Sequence, residues 1–138
     1  MRIRILSDIH LELLNKKDFD KICINLLTPL IDHSKIECLI LAGDIGNPYE
    51  DKYVQFLNKA STKYNLVIVI TCNHEYYNND IFDTNYYLDE LCKNIPKKNV
   101  IFLNNNYYDY KGYRFIGSTL WSDISDLNGN HLNSINDL

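Results

Sequence analysis

Leu66-Val67-Ile68-Val69-Ile70-Thr71-Cys72-Asn73-His74-Glu75 is the stretch of this sequence that decides its fold. Its first five residues are unbroken aliphatics, without the alternation of a half-solvated strand. Residues 66–70 therefore read as a strand buried on both faces, the kind found in parallel sheets. A polar cluster, Asn73-His74-Glu75, follows at once. Working outward, the same order of apolar strand and polar cluster appears twice more. Residues 37–42 form a strand that ends at Gly43-Asp44-Ile45-Gly46, and residues 3–6 form one that ends in Ser7-Asp8-Ile9-His10.

Between the strands the period changes. Phe19, Ile22, Cys23, Leu26, Leu27 and Leu30 recur at helical spacing, with Pro29 as the expected stop. Tyr53, Phe56, Leu57 and Ala60 mark a second helix face. Residues 81–91 mark a third, with Tyr87, Leu88 and Leu91 on one side. Strand, helix, strand, helix, strand implies right-handed parallel crossovers. Residues 100–103 form a short strand, and residues 107–110 and 113–116 flank the turn Lys111-Gly112 as a hairpin. The predicted fold is α/β, a mostly parallel sheet with helices and a late β-hairpin, in one domain over residues 1–138. Residues 122–138, polar and weakly periodic, read as a loosely ordered tail and an interrupted continuation, so the carboxyl-terminal part of the domain is expected to be missing.

Composition narrows the function classes. A chain of 138 residues with 46% hydrophobic and 23% charged residues has ordinary globular usage and can bury a core. Its net charge of −4 argues against a nucleic-acid grip, which needs a basic face. The only basic doublets, Lys16-Lys17 and Lys97-Lys98, read as solvated loop charges. A small anionic substrate held through cations remains compatible with an acidic chain, because bound ions set the local field. Cys23, Cys38, Cys72 and Cys92 show no CxxC or zinc-finger spacing, and Cys23 and Cys38 sit among core-type neighbours. No cationic-then-apolar leader opens the chain, and no apolar run approaches the roughly 20 residues of a membrane span. A soluble protein of the reducing cytoplasm is expected, with no membrane partner.

The three polar clusters carry the chemistry. Loops at the carboxyl ends of parallel strands gather at one sheet edge, where ligands bind. What gathers there is two carboxylates, two imidazoles and a carboxamide. Hard oxygen donors mixed with imidazole suit divalent Mn, Fe, Zn or similar ions. On an extended segment Asp8 and His10 would project the same way and grip one ion together. Asp44 can bridge two ions about 4 Å apart, the usual separation in a two-metal site. Gly43 lets backbone approach closely, and Asn73 offers an amide oxygen. His74 can give a proton or hydrogen bond to a phosphate. Taken singly, each cluster is equally well a turn or a helix cap.

The order D-x-H, then G-D, then N-H-E, each after a strand, resembles the calcineurin-like metallophosphoesterase superfamily. Residues 117–123, Gly-Ser-Thr-Leu-Trp-Ser-Asp, extend the likeness toward a subset of predicted phosphohydrolases. The resemblance implies a partial α/β sandwich and two divalent ions. Asp8, His10 and Asp44 would ligate the first, Asp44 and Asn73 the second, with His74 as the catalytic acid or phosphate contact. It further implies hydrolysis of phosphate mono- or diesters, a hydroxide between the ions attacking phosphorus, and a small phosphate ester as partner.

Two departures qualify that expectation. Cys72 stands where the family has Gly, which would cost up to about 1–2 kcal/mol if its φ were positive. The family's later histidines have no counterpart, since His131 is the one histidine after His74 and sits in Gly129-Asn130-His131, which reads as a turn. The first ion would thus have three protein ligands and the second two. One weakly held ion and impaired turnover follow as expectations. The alternatives are a non-catalytic protein-binding scaffold of the same fold or a truncated gene product. Tyr76 and Tyr77 could line a cleft mouth, Tyr86 and Tyr87 straddle a helix as rim and core, Trp121 reads as a packing residue, and His33 as a loop residue.

Overall fold

The computed structural model describes residues 1–28 and 36–121. Four strands, β1 (Arg2–Leu6), β2 (Ile36–Ala42), β3 (Leu66–Ile70) and β4 (Val100–Phe102), form one sheet in sequential order, and every neighbouring pair is parallel. Helices α1 (Lys16–Leu27), α2 (Asp51–Lys63) and α3 (Ile81–Asn94) make the crossovers. The hairpin β5 (Asn106–Tyr110) and β6 (Tyr113–Gly117) forms a separate antiparallel pair. The predicted α/β class, parallel sheet and late hairpin are all present.

Register explains the layering. Ile5, Ile40, Ile68 and Ile101 stand in one row across the sheet, and Leu6, Leu41, Val69 and Phe102 in the next. Adjacent rows point to opposite faces. The leucine–valine row, with Leu39, Val67 and Val100, packs against Phe19 and Cys23 of α1, Phe56 and Leu57 of α2, and Leu88 and Cys92 of α3. The opposite face buries Cys38, Leu66, Ile68 and Leu103 beneath Tyr108, Tyr110 and Phe115 of the hairpin. Among the described residues that cover stops short of β1, where Ile3 is 45% and Ile5 63% exposed. The continuous run at 66–70 is therefore apolar because both its faces are covered.

Local chemistry fixes the helix ends. Asn15 accepts from the Asp18 amide to cap α1, and Asp80 accepts from the amides of Phe82 and Asp83 to cap α3. Asn73-His74-Glu75, considered as a cap for α3, is instead the start of a 3-10 turn, His74–Tyr76. A second 3-10 turn, Leu11–Leu13, follows the first polar cluster. Pro29, Leu30, His33, Ser122, Asp123, His131 and the expected tail at 122–138 lie outside the described residues. Cys23, Cys38 and Cys92 are buried, as small core residues should be. Among the described residues no helix is long and apolar enough to cross a membrane.

Candidate metal centre

Because β1, β2 and β3 run parallel, the segments that leave them emerge at one edge of the sheet. The first two are laced together. The Asp8 amide donates to the Gly43 carbonyl at 3.2 Å, those of Ile9 and His10 to the Asp44 carbonyl at 2.8 and 3.0 Å, and that of Leu11 to the Ile45 carbonyl at 2.9 Å. The donor atoms of Asp8, His10 and Asp44 consequently lie within 4.8 Å of one another. The route to that convergence differs from the expected one. Residues 8–10 are not extended: Asp8 (φ 54°), His10 (φ 51°) and also Asp44 (φ 53°) adopt the left-handed conformation. Asp and His are among the side chains that tolerate this region, at a local cost. The lacing to residues 43–45 holds them there, and backbone curvature rather than strand pleat aims the donors.

Gly43 (φ +86°) supplies the close approach to the third segment. A Cβ there would stand 2.5 Å from Cys72 Cβ and 2.9 Å from the Cys72 amide nitrogen. Cys72 itself is not among the residues with positive φ, so the penalty attached to a cysteine at this position does not arise from its backbone. The tight spot belongs to Gly43, and Cys72 is what it is tight against.

Glu75 fastens these segments from beneath. It is fully buried, and its Oε2 accepts from the amides of Cys72 at 2.8 Å and Asp44 at 3.1 Å, while Oε1 accepts from the Ile45 amide at 2.8 Å. Burial pushes its carboxyl above the usual range, and the three amide donors pull against that shift. The sequence places Glu75 in the cluster but cannot show that it faces inward. Its work is to hold residues 44, 45 and 72 in register from below the donors.

Above this floor sit the imidazoles. His74 donates its backbone N–H to Asp44 Oδ1 at 3.2 Å, which leaves the other carboxylate oxygen of Asp44 for a ligand. Its ring packs edge-on against His10, centroids 4.4 Å apart, and against Tyr77 at 4.5 Å. Asn73 is oriented from both ends of its amide. Its Nδ2 donates to Tyr77 Oη at 2.8 Å, and its Oδ1 accepts the Cys72 thiol at 3.3 Å. Tyr77 is thus beside the site, as expected for a cleft aromatic. Tyr76 is not: it is buried, with its hydroxyl bonded to Thr71 Oγ1 and Asn85 Oδ1 at 2.7 Å each, because the 3-10 turn rotates it into the core. Tyr87 stacks on Tyr49 at 4.5 Å while Tyr86 is exposed, and Trp121 leans on Tyr76 at 5.6 Å.

Sequence reasoning misses one further side chain. Glu12 brings a carboxylate against both histidines, and His10, Glu12 and His74 form a second group whose donor atoms lie within 4.8 Å of one another. Its signal is faint, a lone acid within Leu11-Glu12-Leu13-Leu14.

Carboxylates, imidazoles and an amide oxygen are the donor set of a borderline-to-hard divalent ion, and among the described residues no cysteine joins either donor group. The residues present therefore fit a metal. The calcineurin-like phosphoesterase family model matches residues 1–138. An uncharacterized protein of Acanthamoeba polyphaga mimivirus is 40% identical over 144 residues, covering 99% of this chain and 51% of its own length. The chain thus spans about half the length of the curated relative it matches. Phosphopantetheinyl hydrolase from Mycobacterium tuberculosis shares the fold, with a TM-score of 0.56 at 19% identity over 87% of this chain and 42% of that one. Loops from three parallel strands bring metal-type donors to one sheet edge, and the family match runs the whole length of the sequence: the chain belongs to the calcineurin-like phosphoesterase family, a metal-dependent one.

Proposed function

We propose that this site serves the metal-dependent hydrolysis of phosphate mono- or diesters. The observation that carries the reading is the convergence of Asp8, His10 and Asp44 donor atoms within 4.8 Å, on loops from two separate strands. In this reading those three residues hold one divalent ion of the Mn, Fe or Zn kind, and Asp44 with Asn73 holds a second. Bound ions of this kind supply Lewis-acid charge to the phosphoryl oxygens and an activated water.

The chain's own residues supply placement. Asp44 is fixed by the His74 amide on one oxygen and, through its backbone, by Glu75. The His74 imidazole, half-buried at the rim, is positioned to meet a phosphate oxygen or a leaving group. With three protein ligands on one ion and two on the other, we expect one ion to be held weakly and turnover by this chain to be poor. The partner is a small phosphate ester rather than a nucleic acid, in keeping with the net charge of −4. Four free thiols support a reducing, cytoplasmic setting.

The test is calorimetric titration of Mn²⁺ into the wild-type chain and into Asp44→Asn. Heat of binding is expected in the wild type alone, and equal heats in both would end the metal assignment. Hydrolysis of p-nitrophenyl phosphate and its bis-ester, measured beside it, should be slow; brisk turnover would show that two incomplete ligand sets suffice.

A further inference from the structure

We propose that Glu12 is a positioning residue that sets the tautomer of both site histidines at once, an inference that rests on the reading of the site given above. Two distances point to it. His10 Nδ1 hydrogen-bonds Glu12 Oε1 at 3.3 Å, and His74 Nδ1 lies 3.4 Å from the same oxygen. A carboxylate has no hydrogen to give, so the His10 bond requires the proton on Nδ1, and the close approach of His74 Nδ1 to the same negative oxygen favours a proton there too. Each imidazole then presents an unprotonated Nε2 on the side away from Glu12. For His10 that is the lone pair a cation needs. For His74 it is a base, or after protonation a donor, facing the substrate side. A carboxylate behind a ligating histidine is the usual means of fixing ring orientation and raising ligand basicity. Here a single carboxylate serves two rings that also touch each other.

Glu12 is built into place. Its carbonyl, with that of Leu14, accepts from Lys52 Nζ at 3.0 Å, which holds the 3-10 turn against α2. Gly46 faces it, and a Cβ on Gly46 would lie 3.0 Å from Glu12 Oε2 and 2.9 Å from Leu11 Cβ. That second oxygen is buried and has no hydrogen-bond partner among the described residues. A half-satisfied buried carboxylate is a poor way to stabilise a fold, since an unmet polar atom costs free energy. Its position is better explained by what Oε1 does for the two imidazoles than by stability. The two roles can be separated, because a structural role predicts loss of stability on substitution and a positioning role does not.

The experiment uses uniformly ¹⁵N-labelled full chain, metal-free, in a His33→Gln, His131→Gln background that leaves His10 and His74 as the histidines observed. Long-range ¹H–¹⁵N correlation reports which ring nitrogen carries the proton. Both rings are expected in the Nδ1–H form. In Glu12→Ala both should revert to the Nε2–H form that free imidazole side chains favour. In Glu12→Gln, whose amide oxygen can take the Oε1 position that both rings share, both should keep Nδ1–H. Melting temperatures of the Gln variant should equal or exceed the parent's, and Mn²⁺ affinity should fall roughly 10–100-fold in Glu12→Ala. Nε2–H on either ring of the parent, or unchanged tautomers in Glu12→Ala, would overturn the proposal. If Glu12→Ala does not fold, Glu12→Met, which fills the same space without a carboxylate, takes its place, and unchanged tautomers on both rings there overturn the proposal equally. A parent that shows both Nδ1–H tautomers yet binds no Mn²⁺ would refute the phosphoesterase reading and leave the role of Glu12 standing.

Discussion

Replacing Glu75 tests how the site is supported. Three amides, those of Asp44, Ile45 and Cys72, end on this one buried carboxylate. In Glu75→Gln the amide oxygen can take the Oε2 position and keep the bonds from Cys72 and Asp44, while its NH₂ faces the Ile45 amide, donor against donor. One charge-assisted bond is lost and one buried N–H is orphaned, a cost of about 2–3 kcal/mol. In a chain of 138 residues this lowers Tm by roughly 7–10 °C. Glu75→Ala strands all three donors but also removes the desolvation cost that raises the carboxyl, so the net loss is about 4–5 kcal/mol rather than the sum of three bonds. Against a typical stability of about 5–15 kcal/mol, that variant sits near its unfolding threshold. Urea unfolding of the three proteins gives the ranking, and native-state hydrogen exchange gives the locality: residues 44, 45 and 72 should lose protection first. If the two variants lose equally, or both lose under about 1 kcal/mol, Glu75 does not hold the loops.

Further expectations concern the surroundings of the site. Gly43→Ala combines a left-handed penalty with a contact of 2.5 Å to Cys72 Cβ, for about 2–4 kcal/mol of destabilisation. Adding Cys72→Gly should relieve the contact with Cys72 Cβ but neither the 2.9 Å approach to the residue-72 amide nitrogen nor the left-handed penalty, so recovery in denaturant unfolding is partial, and no recovery would show the side-chain clash to be irrelevant. Burial pushes the Cys38 thiol to about 11 and the Cys92 thiol to about 12, so at pH 8 both are protonated as well as enclosed. Native labelling with a thiol reagent should stop at Cys72, and rapid reaction of all four cysteines would contradict the packing. Ile5→Lys, on the exposed face of β1, should change stability by less than about 0.5 kcal/mol while reducing light scattering at high concentration. A large loss of stability would mean Ile5 is covered.

The fold was legible because its signals are local. Leu66–Ile70 could be read as a doubly buried strand from composition alone, and the structure covers it on both faces. The helical periods at 53–60 and 81–91 correspond to α2 and α3, which run on past the apolar repeat to Lys63 and Asn94. Part of the site was legible for the same reason: parallel topology alone brings Asp8, Asp44 and Asn73 to one edge. What escaped was anything decided by side-chain direction within a turn. Glu75 and Tyr76 are neighbours that look alike in sequence to the residues lining the cleft, yet the 3-10 turn sends both into the interior. Glu12 escaped because its meaning depends on two histidines, one of them far along the chain, that only the topology brings together. The left-handed turn at 8–10 escaped because Asp and His tolerate that conformation without announcing it, as Gly does.

That left-handed geometry at Asp8 and Asp44 has an effect on how the chain can change. Asparagine enters this conformation as readily as aspartate and has nearly the same outline. Exchanging Asp for Asn at either position removes a charge while leaving the path of the chain intact. A β-branched residue, by contrast, would break the turn itself. Function and architecture are therefore separable here at the cost of one oxygen: the edge of the sheet can fall chemically silent while every strand beneath it stays in place.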